Sequence, residues 1–204
     1  MTATATTAAP PPTISRRERR KAETRRRLVD AAAAVIAAVG VEATTISAIT
    51  EAADVGLGTF YLYFSDRDAI AAAVGDELLA RIAAAALDAA EHADGDDPLT
   101  RHRAATRAVC RVAEDHGRLL HALYRWHGEE SGAALRDRFI AGMRANLEHA
   151  MKAGCLRKED PALAAHAILG LYAECILYWA AERGKDWHKL ERFLERTSIC
   201  ALTA

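Results

Sequence analysis

An all-α fold is expected from three observations. Alanine dominates an apolar fraction of 51%, Gly and Pro are sparse at 12 and 5 in 204 residues, and no stretch alternates β-branched with polar residues. Alanine joins a helix without losing side-chain freedom. Apolar residues recur at helical spacing along most of the chain. About nine helices without an internal repeat are expected, in one large domain or two small ones. The 27% of charged residues is the balance of a globular chain rather than a disordered one.

In chain order, residues 1–14 open with MTATATTAAPPPT, which has no apolar signal-peptide core and reads as a disordered tail. A first helix should run from Ser15 to Val39, with Leu28, Ala32, Val35, Ile36 and Val39 on one face and Gly40 as its stop. A second should start at Thr44 or Thr45, where a hydroxyl can cap free N–H groups, and turn Ile46, Ile49 and Ala53 inward. Asp54 falls in the following turn, where a left-handed residue is often needed. A short third helix is expected from Leu57 to Phe64. Ser65 with Asp68 reads as a capping box for a fourth, running to about Ala90.

The linker HADGDDP then leads to helical patterns ending near Gly117, Gly128 and Gly154. Pro161 to Ala181 is apolar over 21 residues, but His166 and Glu174 interrupt it and alanine drives insertion weakly. It is expected to be a helix buried on most faces. A closing helix carries Trp187, Leu190, Leu194 and Thr197.

Net charge is −1, yet its distribution is uneven. Residues 13–27 hold eight cations against Glu18 and Glu23, a local +6 that leaves −7 for the rest. A basic arm on an acidic body suits a polyanion met at one end. The four cysteines, Cys110, Cys155, Cys175 and Cys200, have no metal or CxxC spacing and read as reduced thiols of a cytoplasmic protein. His116, His121 and His127 do not share a helical face, so no metal site is expected. No cofactor or membrane partner is expected either.

The chemistry concentrates between Thr44 and Arg67. No charged residue occurs from Val55 to Ser65, while Phe60, Tyr61, Tyr63 and Phe64 crowd into five positions. Two helices joined by a tight turn and braced by a third can seat a helix in a DNA major groove. Phosphates need hydroxyls, cations and free N–H groups at helix starts. Thr45, Tyr61 and Tyr63 offer hydroxyls. Arg67, in a first helical turn, opposes the helix dipole unless an anion sits there.

The run TTISAITEAADVGLGTFYLYFSDRDAI resembles the DNA-binding signature of TetR-type transcriptional regulators. The matching residues are Thr44, Thr45, Ile46, Ile49, Ala52, Ala53, Val55, Gly58, Thr59, Phe60, Tyr61, Tyr63, Phe64 and Ile70. The resemblance covers about residues 20–82. It implies a helix-turn-helix over 45–64 within a DNA-binding domain of 15–82, and a ligand-binding and dimerisation domain of 83–204. By the same resemblance, Thr45 and Ser47 meet phosphate and sometimes a base, and Leu57, Gly58 and Thr59 read base edges. Tyr61, Tyr63 and Arg67 meet phosphates, and Phe60 and Phe64 belong to the core. Arg16, Arg17, Arg19, Arg20 and Lys21 could add minor-groove or phosphate contacts. Asp54, Gly56 and Leu57 depart from the family's usual Gly, Ser and polar residue. Leu57 leaves few base-edge donors, so thymine methyls and DNA shape should matter more than bidentate pairs.

For the C-terminal domain the resemblance implies a homodimer and a ligand cavity. The helix from Pro161 and the last helix are the expected dimer seam, with Ala164, Ala165, Ala167, Gly170 and Ala173 permitting close approach. Tyr124, Trp126, Phe139, Met143, Tyr172, Cys175, Tyr178 and Trp179 are the candidates to line a cavity. With no internal cluster of cations, the ligand is expected to be apolar or neutral. The expected function is a repressor released from a palindromic operator. The alternatives are an activator, a ligand-independent regulator of the same family, or remotely an enzyme using the cavity. No nucleophile motif, phosphate loop or metal spacing favours an enzyme, and the acidic body argues against a nucleoid-type binder.

Overall fold

Nine α-helices and no strand occur among the described residues, 15–95, 97–126, 133–181 and 185–202, of the computed structural model. They are α1 (Arg16–Val39), α2 (Ile46–Ala52), α3 (Leu57–Phe60), α4 (Arg67–Glu91), α5 (Pro98–Asp115), α6 (Gly117–Arg125), α7 (Ala133–Lys152), α8 (Pro161–Ala180) and α9 (Trp187–Leu202). The expected tail and the break at Gly128 lie outside the described residues.

α1 starts where Ser15 and Glu18 form a reciprocal cap. Ser15 N–H donates to the Glu18 carboxylate at 2.8 Å and Glu18 N–H donates to Ser15 Oγ at 3.1 Å. It stops at Gly40, whose φ of +84° suits a residue without Cβ. The N-terminal head is α1, α2, α3 and the start of α4 around a core of Leu28, Ile36, Ile49, Phe60, Ile70 and Val74.

α4 is one continuous helix that leaves the head and packs most extensively on α5. The expected boundary at residue 82 therefore falls inside a helix. α7 packs on α8, and α9 packs on α5 and α8. Asp97 and Asp160 cap α5 and α8, each followed by a proline whose missing N–H costs nothing there.

Two expectations are corrected. The helix starting at Leu57 ends at Phe60, and residues 61–64 form a tightened turn in which Tyr63 N–H donates to the Phe60 carbonyl at 2.9 Å. The chain must swing into α4 within six residues, and i→i+3 bonds shorten the path. The cap of α4 is Asp66, not Ser65: its Oδ1 accepts from Ala69 N–H at 2.7 Å, and Ser65 Oγ donates to its Oδ2 at 2.9 Å. A carboxylate both accepts the bond and answers the helix dipole, so Ser65 orients the cap. Asp68 pairs with Arg67 at 3.1 Å instead of reaching back.

α8 is also less buried than its composition suggested. By length and composition it is apolar enough to cross a membrane, yet only 28% of its most apolar window is buried within the chain. Ala164, Ala165, Ile168, Tyr172 and Ile176 face the core. Leu163, Ala167, Gly170, Ala173 and Tyr178 lie on the exposed side. All four cysteines are free thiols, and burial, with Glu191 and Glu114 beyond it, pushes the Cys110 thiol up to about 12.

Candidate nucleic-acid interface

Thr44 and Thr45 take different jobs at the start of α2. Thr44 is buried and its hydroxyl donates to the Gly40 carbonyl at 2.7 Å, tying α2 to the end of α1. Thr45 is exposed and caps the helix, accepting from Ala48 N–H at 3.1 Å. Ser47, in the first turn of α2, is exposed beside it.

The turn after α2 joins Asp54, expected there from the sequence, to Arg27, which the sequence does not single out. Asp54 has φ +51°, the left-handed region. From α1, the Arg27 guanidinium donates to the Ala53 carbonyl at 2.6 Å and the Asp54 carbonyl at 3.1 Å, with the Asp54 carboxylate 3.6 Å away. The carbonyls at the end of α2 thereby gain a cation, which also favours that end of the dipole. In the sequence Arg27 is one cation in a run of eight, and nothing marks it off from the rest.

α3 presents its uncharged tip around a buried anchor. Phe60 is 0% exposed, and its ring lies 5.8 Å from that of Phe64, on which Arg25 rests at 5.4 Å. Leu57, Gly58 and Tyr61 are exposed, and Thr59 and Tyr63 are half-buried. Leu62 is 76% exposed and was not among the expected site residues; an apolar residue between two tyrosines gave no separate signal. A Cβ built on Gly58 would meet nothing in the chain, so internal packing does not require glycine there.

Arg67 lies at the start of α4, but it also holds the head together. Its Nη1 donates to the Glu42 carbonyl at 2.9 Å and its Nε to Asp68. Arg16, Arg17, Arg19, Arg20 and Lys21 are all exposed on the first turns of α1. None of these five has an ion-pair partner among the described residues.

In the body, a cavity of about 390 Å³ opens between α4, α5 and α7, with Ile168 of α8 and Ser198 and Ile199 of α9 closing it. Its wall on the α4 side is five alanines and Leu87, with Leu99, Met143 and Leu147 opposite. Of the residues expected to line a cavity, Met143 does so. Tyr172 is buried beside it in a hydrogen-bonded cluster, and Trp126, Cys175 and Trp179 are half-buried against the core. Tyr124 and Tyr178 are 48% and 59% exposed. The Phe139 side chain and His127 lie outside the described residues. The difference has a simple cause: large rings fill space, and the cavity lies where α4 supplies mostly methyl groups.

A polar cluster sits at one corner. Ser198 Oγ donates to the Leu194 carbonyl at 2.7 Å, so it accepts from His102 Nε2 at 2.7 Å. Thr106 donates to the His102 carbonyl at 2.9 Å and accepts from the Tyr172 hydroxyl. This wiring puts a proton on His102 Nε2, which is the Nε2–H tautomer when the ring is neutral. Burial, and secondarily Arg103, pulls its pKa below the ordinary 6.5.

Comparison with known proteins matches both halves. Residues 28–74 match the description "Bacterial regulatory proteins, tetR family". Residues 102–186 match "AefR-like transcriptional repressor, C-terminal domain". The chain is 24% identical over 172 residues to the uncharacterised HTH-type transcriptional regulator YhgD of Bacillus subtilis (strain 168), covering 80% of this chain and 83% of that protein. In fold it is similar to the fatty acid degradation regulator FadR from Bacillus halodurans, with a TM-score of 0.72, 22% identity and coverage of 86% of this chain and 94% of that one. It is similarly related to RolR in complex with resorcinol, with a TM-score of 0.67, 24% identity and coverage of 90% and 89%. With one match over the head and the other over the body, the chain belongs to the TetR family of transcriptional regulators, and its head is a helix-turn-helix DNA-binding domain.

Proposed function

We propose that the chain is a homodimeric repressor. Each protomer reads one half of a near-palindromic operator, and a small molecule with an apolar body releases the dimer from DNA. The observation that carries this is the tip: Leu57, Gly58 and Tyr61 stand exposed around a fully buried Phe60. Thr45, Ser47 and Tyr63 flank the tip as the hydroxyl contacts to phosphate, with Arg67 and the arm from Arg16 to Lys21 as the cationic ones. Leu57, Gly58 and Thr59 read the groove by apolar contact and shape.

The exposed apolar side of α8, with Phe193 of α9 at 41% exposure, supports a dimer seam of two helices per protomer. Ala167, Gly170 and Ala173 suit close helix approach there, while Ala164 and Ala165 serve their own core. The head, residues 15–82, and the body, 83–204, are the proposed working units, in the cytoplasm. The repressor sign draws support from the name of the matching C-terminal family. Resorcinol on RolR shows a similar fold holding a small ligand, and the cavity is the proposed place for one here. Ligand binding shifts the population toward a head spacing that misses successive grooves.

The test is duplex binding by fluorescence anisotropy. DNA from upstream of the chain's own gene should bind far more tightly than a scrambled duplex, with affinity falling steeply in salt. Equal affinity for both duplexes would sink the operator reading.

A further inference from the structure

The cavity wall carries a charge that its apolar character conceals. Arg101 lines it, and no aspartate or glutamate does. The side chain is held in place by one bond, Nε donating to the Ala90 carbonyl at 3.0 Å at the end of α4. No carboxylate among the described residues pairs with its guanidinium, although Arg103 and Arg107, close by on α5, are matched to Glu195 and Glu191 at 3.2 and 3.0 Å. The other polar groups on the wall are His102, Asn146, His149 and Ser198. His102 and Ser198 are occupied with each other, and burial disfavours the charged form of His102.

We propose that the ligand is an amphipathic carboxylate, its apolar body against the alanine and leucine wall and its head group on Arg101. This rests on the reading of the cavity as the effector site and changes one expectation from the sequence, that the ligand is neutral. A cation on an apolar wall is stabilised when an anion completes it. A planar guanidinium with Nε already anchored presents its remaining N–H groups to a carboxylate, a geometry an alcohol or amine cannot use as well. At about 390 Å³ the space suits a small molecule rather than a nucleotide-sized cofactor.

The experiment uses the full chain and three probes with the same ten-carbon body: decanoate, decanol and decylamine. Calorimetry should give decanoate at least a tenfold advantage over decanol, about 1.4 kcal/mol, with decylamine weakest. Arg101→Gln should remove the advantage while leaving decanol affinity unchanged, and Arg101→Lys, which keeps the charge, should retain part of it. The lysine variant keeps the test open if the glutamine variant does not fold. Decanol binding as tightly as decanoate, or a preference that survives Arg101→Gln, overturns the head-group assignment and leaves the effector cavity standing. If none of the three binds, the cavity reading itself fails, and this assignment with it.

Discussion

Ala53 and Asp54 end α2 with two carbonyls that accept from one guanidinium, and that contact ties the turn before α3 to α1. Arg27→Ala should cost roughly 1–2 kcal/mol in urea denaturation, below the full value of a charged hydrogen bond because the pair is partly exposed. Duplex binding should fall as well, since a loosened turn re-aims the tip. Gly58 makes the opposite case. A Cβ there meets nothing in the chain, so Gly58→Ala should change stability by less than about 0.5 kcal/mol. Duplex affinity should still drop tenfold or more; unchanged affinity would mean the backbone at Gly58 does not approach DNA. His102 supplies a pH signature. Its folded pKa lies below the ordinary 6.5, so between those values the unfolded chain binds the extra proton. Its contribution is complete above about pH 6.5 and is lost as the pH falls through the lowered value. His102→Asn should flatten the fall in Tm between pH 7 and pH 5 relative to the parent chain.

Helices were largely legible where local chemistry decides them, and the limits are instructive. Ser15, Thr45 and Gly40 mark helix ends in any context, because a cap needs only a hydroxyl or a missing Cβ. The start of α4 was misplaced by one residue, since Ser65 and Asp66 both make good caps and only the fold selects the carboxylate. Asp66→Ala should therefore cost about 1 kcal/mol and Ser65→Ala clearly less, read by chemical denaturation. The anchor Phe60 and the exposed Tyr61 could be separated from sequence by resemblance. Arg27 could not, since its role depends on where α1 crosses the turn. The lining of the cavity was not legible for a related reason. Aromatic residues look like ligand contacts in a sequence, whereas this opening lies along a face of α4 that is mostly alanine, a property of packing.

At the scale of the whole molecule, the long α4 links the two units: it starts under the tip at Arg67 and lines the cavity from Ala80 to Ala90. A ligand wedged between α4, α5 and α7 thus bears on the same helix that positions the head, and this continuity is what couples effector to DNA in the proposed mechanism. Two protomers joined along α8 and α9 would present two tips, and the spacing between them is then the quantity that DNA measures. Hydroxyl-radical footprinting on the duplex upstream of the chain's own gene tests this most directly. The account predicts two symmetric protected patches whose centres lie one helical turn apart, about 10 base pairs, or a multiple of it. Both should vanish together in Gly58→Ala. A single patch, or protection without a fixed position along the duplex, would contradict it.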